Sequence, residues 1–109
     1  EPSEVSGTPN VNLAEVLGCT EMRPRVWYLD PGDATAYHRQ AEQEEVYLVL
    51  EGPGRMQLCE ETLTFAEGTV VRVPPETPRR VLNDTDDERH VWFIVGAPAV
   101  SDDGRPIDP

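Results

Sequence analysis

The stretch GDATAYHRQAEQEEVYLVLEG, residues 32–52, decides how the chain folds. It contains an unbroken apolar run, Val46-Tyr47-Leu48-Val49-Leu50. A run this short and this rich in β-branched and aromatic residues reads as a strand. Side chains two apart on a strand share a face, so His38 and Gln40 point the same way, and Glu45 opens the next strand with Tyr47 and Val49 on its side. An imidazole, an amide and a carboxylate then converge on one interior. Because the run is apolar at every position, its other face also needs cover. That cover is a second sheet, another copy of the chain, or the N-terminal segment folded across. A homodimer is the economical way to bury the outer face of a small domain.

Outward from this stretch the same style continues. From Met22 onward, short runs rich in Val, Tyr, Trp and Phe alternate with turn signals at 30–33, 51–54, 67–68, 74–75 and 83–86. This spacing predicts about eight strands and an all-β sandwich or barrel. Before them, Leu13, Val16 and Leu17 recur at helical spacing behind Asn12 as N-cap, and Gly18 stands where a C-cap belongs, which predicts one short helix. Residues 1–9 and 100–109 are polar and rich in Pro, Gly or Asp, and read as flexible tails around a single domain at 10–99. A length of 109 residues suits one core.

Charge narrows the partners. Twenty-one acidic residues face nine basic ones, all nine Arg, for a net charge of −12. Such a surface repels itself in dilute buffer, whereas in molar salt the screening length falls to about 3 Å. The acidic, Lys-free composition resembles that of proteins from cells that balance external salt with internal salt, and so points to the cytoplasm. The same charge argues against nucleic acid and anionic membranes as partners, since both need basic surface. No stretch reads as a transmembrane helix or a signal peptide. Cys19 and Cys59 lie far apart in no metal-binding or redox spacing, and read as reduced structural thiols.

Two ordered sets of residues carry a family resemblance. Gly32, His38, Gln40, Glu45 and Gly52 resemble the first cupin motif in spacing, with Gln40 standing where the family has a second His. Gly68, Pro74, Glu76, Arg79 and Asn83 resemble the second motif, with Glu76 for a Gly and Arg79 for a His. The resemblance spans roughly residues 20 to 96 and implies an all-β, cupin-type double-stranded β-helix, or jelly-roll barrel, with one short N-terminal helix. In the family, three imidazoles and a carboxylate at these positions bind a divalent metal such as iron, manganese, nickel or zinc.

This chain departs from that set at two positions. Gln40 offers a neutral amide oxygen, a feeble ligand. Arg79 has no lone pair to give and stays charged, so it competes with a metal for Glu45 and is expected to replace it as a built-in cation. The resemblance therefore implies no cofactor, or a divalent metal held weakly through His38, Gln40 and Glu45, with His90 as a further donor. Each residue also has a plainer reading: His38 as a hydrogen-bonded barrel histidine, Gln40 as a network residue, and His90 as packed on the strand face it shares with Trp92 and Ile94. Trp27, Tyr28, Tyr47 and Trp92 read as core, those that reach the pocket supplying an apolar wall.

Three functions follow. The chain binds a small polar or anionic metabolite among His38, Gln40, Glu45, Arg79, Tyr47 and Trp92; planar anion recognition suits a guanidinium in a dry pocket, which favours this reading. Alternatively it is a metal-dependent isomerase or dioxygenase using His38, Gln40 and Glu45, or a metal-free acid–base enzyme using His38 and Glu45. Or the barrel is sealed and its role lies in dimer or partner contacts. Whether it is an enzyme is open at this point.

Overall fold

The computed structural model describes residues 3–5, 8–99 and 104–106. In chain order the elements are β1 (Ser3–Val5), β2 (Thr8–Asn12), α1 (Leu13–Leu17), β3 (Arg23–Leu29), β4 (His38–Gln40), β5 (Glu44–Glu51), β6 (Gly54–Leu58), β7 (Glu61–Phe65), β8 (Val70–Val73), β9 (Arg79–Leu82), β10 (His90–Ala97) and β11 (Gly104–Pro106). Eight strands, β3–β10, form over this stretch, matching the expected count; the five turn signals separate them except between β4 and β5 and between β6 and β7, where no signal was read. Gly32 and Gly68, the opening glycines of the two motifs, take φ of 92° and 88°. Residues with a Cβ rarely adopt this backbone, so both turns depend on glycine.

Two antiparallel sheets face each other. One runs β1-β2-β3-β10-β5-β8 and the other β11-β4-β9-β6-β7. β10 is the spine of the larger sheet, pairing Trp92 with Trp27 and Val49, and Ile94 with Arg25 and Tyr47. Between the sheets lies a core of Leu29, Tyr47, Val49, Met56, Val73, Val81, Trp92 and Ile94. Trp92 is fully buried and meets Tyr47 edge-on, ring centroids 5.9 Å apart at 85°. That geometry suits the aromatic quadrupoles and fixes β5 against β10.

The predicted helix forms with the predicted caps. The Asn12 side chain accepts from the Glu15 N–H, and Gly18 closes the C-terminus in the left-handed region. Its apolar residues do not form a buried face, however: Val16 and Leu17 are 71% and 68% exposed. The N-terminal segment extends the larger sheet beside β3 rather than folding across it. Among the described residues no helix is long and apolar enough to cross a membrane.

The segments read as tails contain three strands that composition did not announce. β1 pairs with β2, which itself begins within the expected tail, and β11 pairs with β4, Gly104 opposite Gln40. The remainder of those segments, residues 1, 2, 6, 7, 100–103 and 107–109, lies outside the described residues.

The strand Val46–Leu50 shows how one run serves two faces. Tyr47 and Val49 are buried in the core, Val46 and Leu48 are half-buried on the outer face, and Leu50 is exposed. Leu48 pairs with Val70 and Phe93 on that face, and Val70 is 62% exposed.

Candidate functional site

One end of the barrel holds a cavity of about 230 Å3. Its walls come from strands whose period-two alternation sends polar side chains inward at this end and apolar ones further down. On β5, Glu45 faces in and Glu44 faces out, where it pairs with Arg72 at 2.9 Å. On β4, His38 and Gln40 share the inner face, as the sequence indicated. On β9, Arg79 is fully buried while its neighbour Arg80 is half-buried and donates to Gln57 Oε1 at 2.7 Å.

The carboxylate of Glu45 is the hub. Tyr47 Oη donates to its Oε1 at 2.8 Å, and Gln40 Nε2 lies 3.5 Å from its Oε2. Arg79 Nε sits 3.3 Å from Oε1, an ion-pair distance, though the N–H is not aimed well enough to count as a hydrogen bond. Burial, and then the neighbouring Glu45 charge, push the Tyr47 phenol well above its ordinary pKa, so it remains a donor to the carboxylate. His38 Nδ1 lies 2.7 Å from the Ala36 carbonyl. A carbonyl only accepts, so Nδ1 carries a proton, and in the neutral ring the lone pair is on Nε2.

Arg79 is not where a ligand could reach it. Its Nη1 donates to Pro75 O at 2.9 Å, and its Nη2 to Pro74 O at 3.0 Å and Val73 O at 3.4 Å. The guanidinium is thus wrapped by the backbone between β8 and β9 and lies behind Glu45 rather than in the cavity wall. Trp92, expected at the site, is core instead. His90 lies at the far end of β10, opposite Leu29, six residues from the Gly96 that pairs with Glu45. It is fully buried, with Glu88 Oε2 3.9 Å from its Nε2, and cannot add a donor at the pocket. His38, Gln40, Glu45 and Tyr47 do line the cavity together.

Two residues missed from the sequence line it as well. Arg23 and Arg25 point inward from β3, followed on the same face by Trp27. Arg25 Nη1 donates to Asn10 Oδ1 on β2, and its guanidinium stands 5.9 Å from the Trp27 ring centroid. Burial first, then the Arg23 charge, lower the Arg25 pKa. An arginine so placed keeps its charge and is less well hydrated than one in water. The alternation Arg23, Arg25, Trp27, Leu29 was the signal available in the sequence. Gly96 leaves room for Gln43, whose Oε1 would lie 2.6 Å from any Cβ added there.

The donor set does not fit the metal centre implied by the resemblance. Of the four expected positions only His38 and Glu45 offer good ligands, and the carboxylate is already engaged by Tyr47, Gln40 and Arg79. Among the described residues no cluster of three or more His, Cys, Asp or Glu side chains could hold a metal ion.

Two facing antiparallel sheets with a polar pocket at one end agree with the comparisons. Residues 25–96 match the model of the cupin domain, and the chain belongs to that family. An uncharacterized protein of Methanocaldococcus jannaschii is 36% identical over 52 residues, 48% of this chain and 42% of its own length. A Cupin 2 conserved barrel domain protein from Salinispora arenicola superposes with a TM-score of 0.78 at 18% identity, covering 91% of this chain and 82% of that one. A sugar phosphate isomerase of the cupin superfamily from Silicibacter pomeroyi does so with 0.76 at 21%, covering 84% and 59%. At these identities the structural likeness speaks for the fold. The chain thus spans less than two thirds of the Methanocaldococcus and Silicibacter proteins.

Proposed function

We propose that the chain binds a small anionic metabolite in the barrel pocket. The observation that supports this is the inward pair Arg23 and Arg25 at a half-closed cavity whose other wall carries His38. Two guanidiniums on one strand face present planar donors to a carboxylate or phosphate, and Trp27 and Ile94 add an apolar side. The cavity is smaller than the ~300–1,000 Å3 of drug-sized sites, which favours a compact ligand. This keeps the anion reading and moves its anchor from Arg79 to β3. Calorimetric titration with small organic phosphates and carboxylates, at one fixed chloride concentration, tests it. Replacing both residues, Arg23→Gln with Arg25→Gln, is expected to weaken binding roughly a hundredfold, since two charge-assisted hydrogen bonds are lost. Equal affinity in the variant would remove the basis for this reading.

We read the acidic surface as suited to a salty cytoplasm, and the apolar outer face of the larger sheet as a place for a second copy. Both depend on screening of the −12 charge. The melting temperature is expected to rise as potassium chloride increases from millimolar to molar, and sedimentation at molar salt is expected to show a dimer. A melting temperature that is flat or falls would count against the first reading, and a monomer throughout against the second.

A further inference from the structure

The inner end of the pocket contains an acceptor that, among the described residues, has nothing to accept from. Gln40 is only 7% exposed, and its Nε2 faces Glu45 Oε2, which can only accept. The amide is thereby oriented, and Oε1 has no hydrogen-bond partner among the described residues. Buried acceptors left in this state are costly and uncommon. Gln40 and its cross-strand partner Gly104 both line the cavity, and a Cβ added at Gly104 would rest in ordinary contact, 3.9 Å, with Gln40 Oε1 and His38 Cδ2.

Resting on the anion reading above, we propose that the ligand is a hydroxylated anion. Its phosphate or carboxylate faces Arg23 and Arg25, and a hydroxyl donates to Gln40 Oε1. An ammonium donor fits less well. The one carboxylate at this end, Glu45, already meets Arg79 Nε at 3.3 Å, Tyr47 Oη at 2.8 Å and the Gln40 amide. Two guanidiniums in the same cavity would repel a further cation. A neutral donor satisfies Oε1 without adding charge. Gln40 is then a specificity-determining residue, because a ligand lacking the hydroxyl leaves Oε1 buried and unpaired.

Two matched pairs of probes test this in the whole chain by calorimetry, with tryptophan fluorescence as a second readout, since Trp27 lines the cavity. The pairs are glycerol 1-phosphate against propyl phosphate, and glycerate against propionate. Within whichever pair binds, the hydroxylated member is expected to bind roughly tenfold or more tightly. Gln40→Leu should bring that ratio near one by weakening the hydroxylated member alone. Binding of only one pair identifies the anion as phosphate or carboxylate. Equal affinities within a pair in the unaltered chain overturn the hydroxyl assignment while leaving the anion reading intact. A ratio that survives Gln40→Leu overturns the role of Gln40. Failure of all four probes to bind overturns the anion reading itself. The comparison in the unaltered chain stands even if Gln40→Leu does not fold.

Discussion

Arg79→Met is expected to destabilise the barrel by about 3–5 kcal/mol, because it removes one side of a buried ion pair. The guanidinium is fully buried, and three carbonyls, of Val73, Pro74 and Pro75, accept from it. Methionine fills similar space but leaves those oxygens, and Glu45 beside them, without their cation. The cost comes mainly from what stays behind unpaired rather than from the worth of the pair. Glu45→Gln alone should also destabilise the fold, since it leaves the buried guanidinium without its counter-charge. The double variant should lose less than the sum of the two. Urea denaturation of all four proteins at one molar-salt concentration measures this coupling. Strict additivity would mean that the 3.3 Å approach of Arg79 to Glu45 has no energetic content.

A second large effect is a metal site made by two substitutions. The unaltered chain is expected to bind divalent transition metal weakly, because Arg79 competes for Glu45, the only well-placed carboxylate among the described residues. Gln40→His with Arg79→His should raise affinity for zinc or nickel roughly a hundredfold or more. His38 and Arg79 are direct cross-strand partners, Gln40 lies two residues along from His38, and the polar atoms at both altered positions approach Glu45. Three imidazoles and a carboxylate would then converge without a change of register. Arg79→His alone should give much of the gain, since it removes a repulsive charge as well as adding a ligand. The metal-free double variant will be weakened by the loss of Arg79, so a metal-dependent rise in melting temperature provides a second readout. Tight stoichiometric zinc in the unaltered chain, abolished by His38→Ala, would contradict this account.

Much of the fold was legible because turns and strand period are local properties. Gly32 and Gly68 mark turns by backbone conformation alone, and the motif spacing, to Gly52 on one side and between Pro74 and Asn83 on the other, picked Glu45 over Glu44 and Arg79 over Arg80 as the inward residue. What spacing could not give was depth. It put Arg79 inside but could not show that the chain from Val73 to Pro75 closes over the guanidinium and hides it from a ligand. Arg23 and Arg25 were missed for the opposite reason. Residues at the start of a strand look solvated until the neighbouring strands are known, and here β2 supplies Asn10 to brace Arg25. His90 shares an inward face with Trp92 and Ile94, but a strand of eight residues spans the barrel, so a shared face does not mean a shared site. β11 formed by main-chain pairing, on which side-chain composition is nearly silent.

The placement of that strand bears on which parts of the chain shape the pocket. The region common to the family ends at 25 on one side and 96 on the other, yet Asn10, Arg23 and Gly104 all bear on the pocket from outside it. β2 and β11 lie outside the family region and are held to the barrel by backbone pairing, which tolerates many side chains. On the anion-binding proposal, two proteins that match over the family region can therefore still differ in what the pocket accepts, because part of its wall comes from the flanks. On that proposal, transplanting the segments around β2 and β11 is a more direct route to altering the pocket's preference than redesigning the barrel itself.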